Sequence, residues 1–158
     1  MDLLKLDLPD EQATRLFGND LARALVPGDL LLLSGDLGAG KSTLARALIR
    51  SLAQDPDLDV PSPTFTLVQA YETALPAAHF DLYRIGDATE LDELGLDEAL
   101  EAGVALVEWP ERAVSALAGP AIRISLRTKG NGREAIIDAG DAGDRIKRSL
   151  ALRGFLAR

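Results

Sequence analysis

The sequence predicts an α/β domain in which helices flank a mainly parallel central sheet and antiparallel strands are added at its edges. Two continuous apolar runs, at residues 30–33 and 104–107, are typical of strands that are buried on both faces. Helical patterns lie next to these runs, whereas segments near both ends of the chain alternate between apolar and polar residues. Alternation indicates strands with one exposed face, so we expect those strands at the edges of the sheet.

The first half of the chain predicts a strand, a helix, the first buried strand and a second helix. Residues 3–8 alternate in polarity, which favours a half-buried strand. A helix is predicted to begin at Asp10, and the segment that contains this helix ends at a turn at Gly28. The second helix is predicted over residues 41–53. The loop at residues 55–63 contains three prolines, which exclude a regular helix there.

The second half of the chain predicts shorter elements. Residues 129–132 read Lys-Gly-Asn-Gly, a hairpin signal between two alternating segments. We predict strands at residues 64–70, 77–83, 122–127 and 133–138, and helices at residues 91–100, 111–117 and from 144 to the end. Residues 1–158 therefore form one predicted domain.

Composition favours a soluble, cytoplasmic protein and excludes several kinds of site. Of the residues, 47% are hydrophobic and 27% are charged, as in ordinary globular domains. The apolar runs are far shorter than the roughly 20 residues that a membrane span needs, and the first residues carry no secretory signal pattern. The absence of cysteine excludes disulfides and thiolate metal sites, and the single histidine, His79, excludes a multi-histidine centre.

Charge is unevenly distributed along a chain whose net charge is −8. Residues 86–101 carry seven acidic and no basic side chains, whereas residues 141–158 carry five basic and two acidic ones. Both segments are interpreted either as solvated helix faces or as docking surfaces, the basic one for tRNA or an acidic partner. We expect the last helix to be held against the domain by Ile146 and Leu150, with Phe155 further on. The basic residues of that segment are Arg145, Lys147, Arg148, Arg153 and Arg158.

A phosphate-binding loop is the firmest functional prediction. The segment from Gly35 to Ser42, GDLGAGKS, fits the pattern G-x-x-x-x-G-K-[ST] and lies between a buried strand and a helix. Its backbone N–H groups can converge on a phosphate, Lys41 can reach the β- and γ-phosphates, and the Ser42 hydroxyl can bind Mg²⁺. The alternative is a glycine-rich turn that happens to contain a lysine. The candidate nucleotide contacts are Asp36, Leu37, Gly38, Ala39, Gly40, Lys41, Ser42 and Thr43.

Two acidic residues are candidates for the rest of a hydrolytic site. Phosphoryl transfer to water needs Mg²⁺ held from a second side and a group that positions the water. Glu108 ends the apolar strand at 104–107, and Asp81 lies in a second predicted strand. Glu108 could instead be a boundary residue. Trp109, which follows it, either belongs to the core or shields the site and meets a partner.

Further candidates lie in two nearby segments. His79 is placed on one strand face with Asp81 and Tyr83, either as a structural donor or as a catalyst. Arg84 points the other way and could reach a phosphate or pair with the acidic segment. The proline-rich loop is a candidate switch ordered by Mg²⁺ and the γ-phosphate, or a loop capped by local hydroxyl bonds. Its hydroxyl residues are Ser62, Thr64 and Thr66.

Together these motifs resemble the TsaE family, small bacterial P-loop ATPases required for the threonylcarbamoyl modification of adenosine in tRNA. The resemblance runs from about residue 9 to 138 and is carried by segments 35–43, 62–68, 79–84 and 108–111. One departure is Ser42, where the family usually has threonine. The resemblance implies the P-loop NTPase fold, ATP and Mg²⁺ as cofactors, and cytoplasmic location without membrane contact.

The resemblance also implies roles for individual residues. Lys41 contacts the phosphates, Ser42 and Glu108 look like Mg²⁺ ligands, and Asp81 looks like the residue nearest the γ-phosphate or its water. Arg133 and the first helix, around Thr14, are implied to hold the base. Segments 62–66 and 79–84 are similar to the two switches of such proteins.

The resemblance implies that the ATPase binds the heterodimer of TsaB and TsaD, reaches tRNA indirectly through that complex, and resets the complex by ATP turnover. Two other functions remain open from the residues alone. One is a small-molecule kinase, although such enzymes need a lid rich in arginine and the segment after Asp81 offers only Arg84. The other is a nucleotide-dependent binding module with negligible turnover.

Overall fold

One mixed sheet organises the chain in a computed structural model that describes residues 3–36, 38–63, 66–87, 89–117 and 119–151. Its strands are β1 (Leu3–Leu8), β2 (Leu30–Ser34), β3 (Val68–Tyr71), β4 (Ala77–Asp81), β5 (Val104–Glu108), β6 (Ile122–Lys129) and β7 (Gly132–Asp138). Its α-helices are α1 (Glu11–Ala24), α2 (Lys41–Ala53), α3 (Thr89–Glu93), α4 (Leu96–Ala102) and α5 (Gly143–Ala151). Short 3-10 helical segments cover Pro110–Leu117 and Gly140–Ala142.

The order of strands in the sheet is β1-β7-β6-β2-β5-β4-β3. Among the described strands, β6, β2, β5 and β4 pair in parallel, and the other three pairings are antiparallel. The sheet as a whole is therefore mixed, and the prediction of a mainly parallel sheet is not confirmed. The reason is the tight hairpin between β6 and β7, which turns β7 around and leaves β1 to pair with it in antiparallel register.

The two central strands are buried on both faces, as their continuous apolar runs predicted. Leu31 and Leu33 of β2 belong to a cluster that includes buried residues of α1, α2 and α5. Leu30 and Leu32 point to the other face and belong to a second cluster with buried residues of α3, α4 and the Pro110–Leu117 segment. Helices therefore cover both faces of the sheet, and none of those described is long and apolar enough to cross a membrane.

Element boundaries differ from the predicted ones where the backbone departs from regular geometry. The predicted strand at 64–70 begins at Val68, because Leu67 adopts a left-handed φ of 69° that no strand accommodates; residues 64 and 65 lie outside the described residues. The strand predicted at 77–83 ends at Asp81.

The last helix packs as predicted along the part that the structure describes. Ile146 and Leu150 of α5 are both fully buried, and α5 packs on α1. The guanidinium of Arg145 donates two hydrogen bonds of 3.0 Å to the carboxylate of Asp29, so this basic residue is a structural anchor. Arg153, Phe155 and Arg158 lie outside the described residues.

Gly103 allows β5 to lie close to the chain that leads into β4. A Cβ atom at this position would lie 1.9 Å from the carbonyl oxygen of Pro76, a backbone atom that cannot swing aside. The same carbonyl accepts a hydrogen bond of 2.8 Å from the N–H of Val104. The placement of β5, which ends in Glu108, therefore depends on the missing side chain.

We expect Gly103→Ala to lower the free energy of unfolding by about 2–3 kcal/mol, because the added methyl group overpacks a backbone contact. Urea denaturation measures the change. Gly119→Ala is the matched control, since a Cβ there meets nothing within 4 Å, and it should stay within about 0.5 kcal/mol of the parent. Equal midpoints for the two variants would contradict the argument.

Candidate functional site

A cavity of about 590 Å³ lies where the carboxyl ends of β2, β4 and β5 meet. Its walls come from the loop after β2, the first turn of α2, the start of α1 and the turn between β6 and β7. The lining residues are Asp10, Glu11, Thr14, Gly38, Gly40, Lys41, Ser42, Thr43, Ser62, Asp81, Tyr83, Glu108, Trp109, Asn131, Gly132 and Arg133. Most of the residues predicted for the site thus lie around one space.

The loop after β2 needs glycine at three positions. Gly35, Gly38 and Gly40 have φ angles of 146°, 82° and 101°, in the left-handed region that favours glycine. A Cβ on Gly35 would also lie 2.5 Å from the carbonyl oxygen of Leu126 in β6. The loop is therefore folded against the sheet. Leu37 lies outside the described residues, and neither exposed Asp36 nor buried Ala39 lines the cavity.

The first turn of α2 presents its N-terminus to the cavity. Gly40 is the N-cap residue and supplies no side-chain hydrogen bond to the helix. The first N–H groups of an α-helix have no partner inside the helix, and they attract anions. Exposed Ser42 and half-buried Thr43 place their hydroxyls on the same turn.

Lys41 lies beneath the loop, between a carbonyl group and an aromatic ring. Its ammonium donates a hydrogen bond to the carbonyl oxygen of Gly35 and lies 3.6 Å from the centre of the Trp109 ring. The side chain is only 6% exposed. The cation is thus held by contacts that each contribute modestly, so that it can exchange them for a stronger anionic partner.

Asp81 and Glu108 form a pair of buried carboxylates. They are register partners in the parallel β4–β5 pair and are 5% and 3% exposed. Oδ1 of Asp81 accepts a hydrogen bond of 3.0 Å from the N–H of Tyr83. Two carboxylates at the end of adjacent strands, opposite a lysine and a hydroxyl, can bind a divalent cation or direct a water molecule.

His79 is bonded to Glu108 from outside the cavity lining. Its Nε2 donates a hydrogen bond of 2.6 Å to Oε2 of Glu108. His79 is 3% exposed and is not among the lining residues. Its other ring nitrogen, Nδ1, is buried without a hydrogen-bond partner in the described part of the chain. The contact fixes the rotamer of Glu108, so the geometry favours the structural-donor alternative for His79.

Aromatic side chains form the rim of the cavity. The rings of Trp109 and Tyr83 are 4.8 Å apart and tilted by 53°, and the guanidinium of Arg112 lies 5.3 Å above the Tyr83 ring. Trp109 has a φ of 58°, which is costly for a side chain of its size and turns its ring over Lys41. Trp109 therefore both packs on the core and shields the site.

Arg133 ties the hairpin to the phosphate loop. Its Nη2 donates a hydrogen bond of 2.9 Å to the carbonyl oxygen of Gly38, and Nη1 donates one of 2.9 Å to the carbonyl of its neighbour Gly132. The predicted Thr14 lines the same wall.

The sequence did not predict four of the residues that line the cavity, and some residues that it predicted for the site do not line it. The four residues that were not predicted are Asp10, Glu11, Asn131 and Gly132. The only local signals for their role were the position of Asp10 before α1 and the turn beside Arg133. Of the switch candidates, Ser62 and Tyr83 line the cavity, whereas Thr66 and Arg84 are exposed outside it and Thr64 lies outside the described residues.

The chain matches a family model and several curated relatives over most of its length. The model described as "Threonylcarbamoyl adenosine biosynthesis protein TsaE" matches residues 8–136. A protein named tRNA threonylcarbamoyladenosine biosynthesis protein TsaE from Rickettsia felis is 39% identical over 122 residues, 77% of this chain and 71% of the relative. The protein of the same name from Synechocystis is 42% identical over 111 residues, 66% of this chain and 69% of the relative.

A solved structure agrees with the fold. The crystal structure of YdiB from Bacillus subtilis superimposes with a TM-score of 0.77 at 28% sequence identity and covers 96% of both chains.

We expect Lys41→Met to change the intrinsic fluorescence of Trp109, the only tryptophan of the chain. The substitution removes the cation 3.6 Å from the indole, and excited indole responds to nearby charge. The emission maximum and intensity of the ligand-free protein measure the effect. Lys5→Met, at an exposed position of β1, is the matched control, and identical spectra for both variants would contradict the stacked geometry.

Proposed function

Since the chain belongs to the TsaE family, we propose that it is the ATP-binding and ATP-hydrolysing component of tRNA threonylcarbamoyladenosine biosynthesis. The observation that carries this proposal is the single cavity in which the glycine-rich loop and Lys41 face Asp81 and Glu108. A β2–loop–α2 unit with an acidic strand end beside it supports assignment of the domain, residues 1–158, to the P-loop NTPase fold.

Phosphates are bound, in this proposal, by the N-terminus of α2 and by Lys41. The backbone N–H groups of residues 38–43 supply most of the ground-state binding. Lys41 leaves the Gly35 carbonyl for the phosphates, since a charge-assisted hydrogen bond is stronger than a neutral one. Arg133 holds the loop through its hydrogen bond to Gly38. Arg133 and Thr14 both line the cavity and would hold the base of the nucleotide.

The donor set fits Mg²⁺. This ion takes oxygen ligands, with one or two carboxylates from the protein and the remainder from phosphates and water. The Ser42 hydroxyl and the Glu108 carboxylate offer such ligands in one cavity, and His79 fixes the orientation of Glu108. When bound, the ion neutralises charge that develops on the phosphates.

Asp81 is assigned to the attacking water. Its carboxylate is buried and lines the cavity beside Glu108, and the Tyr83 N–H holds it in place. A fixed carboxylate can orient a water molecule and accept its proton as the bond from the water oxygen to the γ-phosphorus forms. The bond from the γ-phosphorus to the β–γ bridging oxygen breaks in the same displacement, and ADP leaves.

The partner in this proposal is the TsaB–TsaD heterodimer in the cytoplasm, with tRNA reached through that complex and without membrane contact. Tyr83 is 42% exposed at the rim, and Val114 on the following 3-10 segment is 65% exposed. Exposed apolar side chains beside a nucleotide cavity suit a partner that senses the nucleotide state. The kinase alternative is weakened because Arg84, its expected lid residue, does not line the cavity.

ATP hydrolysis by the chain alone and with purified TsaB–TsaD tests the proposal. We expect slow phosphate release that rises when the heterodimer is added. A nucleotide-dependent binding module would bind ATP and release no phosphate in either case, and a kinase would transfer the γ-phosphate to a small acceptor instead.

We expect Glu108→Gln to reduce turnover by about 10²-fold and to weaken the Mg²⁺ dependence of ATP binding, because an amide is a poorer ligand for this ion. Affinity for ATP in excess chelator should stay within about twofold, since backbone groups supply that binding. Calorimetric titration with and without Mg²⁺ makes the comparison. Wild-type turnover would make Glu108 a boundary residue.

We expect Asp81→Asn to lower turnover by roughly 10²-fold while ATP remains bound, because the amide keeps the shape of the carboxylate but is not a base. Single-turnover phosphate release measures the chemical step directly. Asp92→Asn in α3, at an exposed position, should leave the rate unchanged. A rate within about threefold of the parent for the Asp81 variant would remove this residue from the mechanism.

A further inference from the structure

A second groove, of about 680 Å³, lies between the outer faces of α1 and α2. Four arginines line it, two from each helix: Arg15 and Arg23 from α1, and Arg46 and Arg50 from α2. Residues four apart in an α-helix lie on one face about 6 Å apart along the axis. Arg46 and Arg50 are four apart, and Arg15 and Arg23 are eight apart, so each wall carries a cationic row.

Three of these arginines retain donors for an external anion, whereas Arg23 lies 4.0 Å from the buried carboxylate of Asp20. Arg46 makes no hydrogen bond or ion pair within the described residues. Arg15 pairs with Glu11 at 2.8 Å, but both side chains are more than half exposed, and such pairs contribute little. Arg50 uses only Nε, on the carbonyl of Leu58, which leaves its other guanidinium donors available.

The cationic groove and the acidic segment lie on opposite faces of the sheet. Helices α1 and α2 contribute to one core cluster, and the acidic helices α3 and α4 contribute to the other. Residues 89–102 carry six acidic and no basic side chains. Because the Debye length at physiological ionic strength is about 8 Å, charge across the sheet barely reaches the groove. Its own described lining carries four arginines against two acidic residues, Glu11 and Asp55, so a chain with a net charge of −8 presents a local cationic surface here.

We propose that this groove binds the phosphate backbone of an RNA strand. The other polar lining residues include Gln12, Asn19 and Ser51, which are typical donors to phosphate and sugar oxygens. Among the residues that the structure describes, the apolar part of the lining is limited to Leu16, Ala47 and Pro56, and none of the lining residues is aromatic. An acidic peptide helix would need a row of apolar anchors that this groove lacks.

The groove is continuous with the nucleotide cavity. Glu11 and Thr43, at the first turns of α1 and α2, line both. RNA in the groove would therefore lie along the same two helices whose N-terminal ends face the nucleotide. The proposal rests on the chemistry of the groove and does not require ATP hydrolysis.

Fluorescence anisotropy of labelled, unfractionated tRNA, titrated with the full chain at several salt concentrations, tests this binding. We expect a dissociation constant in the range of about 10⁻⁶ to 10⁻⁴ M and a steep decrease in affinity with salt. Arg15→Gln with Arg46→Gln should weaken binding at least about fivefold and reduce the logarithmic salt slope by about 2, one for each lost phosphate contact.

Lys5→Gln with Arg123→Gln is the matched control. Both residues are exposed on the sheet, and the double change lowers the net charge by the same amount. The control should bind tRNA within about twofold of the parent. Equal losses in the two variants, or no salt-dependent binding by the parent, would overturn the proposal. Preferential binding of polyglutamate by the parent, lost in the groove variant, would assign the groove to an acidic protein and overturn it too.

Two further measurements distinguish loss of RNA binding from a fold defect and from loss of nucleotide binding. Arg46→Gln alone breaks no hydrogen bond or ion pair of the described residues and should reduce the salt slope by about 1; an unchanged urea midpoint of this variant separates that change from a fold defect. Titration with a fluorescent ATP analogue reports on the nucleotide cavity separately. Loss of tRNA binding with unchanged nucleotide affinity supports the groove, whereas absence of nucleotide binding by the parent would contradict only the function proposed above.

Discussion

The register of three parallel strands determines the geometry of the site. Leu33 of β2, Glu108 of β5 and Asp81 of β4 lie in one row across the sheet. The loop begins two residues after Leu33, so the row sets the distance from Lys41 to both carboxylates. A slip of one residue between β4 and β5 would send one carboxylate to the opposite face of the sheet. The close packing of Gly103 on Pro76 holds that register at the start of β5.

Short sequence patterns predicted the parts of the structure that depend only on residues close together in the chain. The glycine-rich loop, the buried strands and the helix after the loop each follow from a short pattern, and these elements lie where they were predicted. Phosphate binding by the loop stays a prediction. Glu108 was recognisable because it ends an apolar segment, and Asp81 because it shares one face of a predicted strand with His79 and Tyr83. The contact between His79 and Glu108 joins residues 29 positions apart, and only the pairing of β4 with β5 creates it.

The other features of the fold and the site depend on the pairing of strands that are distant in the sequence, which no short pattern contains. Asn131 and Gly132 reach the cavity only because β6 lies beside β2, which brings their turn to the phosphate loop. The mixed character of the sheet has the same origin, since β7 is inserted between β1 and β6. The late start of β3 depends on the left-handed backbone of Leu67, which leucine adopts here only because its N–H and carbonyl bond to Pro63 and Asp81.

The pairing of β1 with β7 has a consequence for synthesis of the protein. Residues 3–8 are translated before their partners, residues 133–138, which follow on the order of ten seconds later at ordinary ribosomal rates. Through that interval the nascent chain carries an unpaired N-terminal strand and lacks Arg133. A product cut short before β7 would contain the complete glycine-rich loop and still present an open sheet edge, the kind of surface that leads to aggregation. Arg133 and the partner of β1 therefore become available together, only once β7 has been translated.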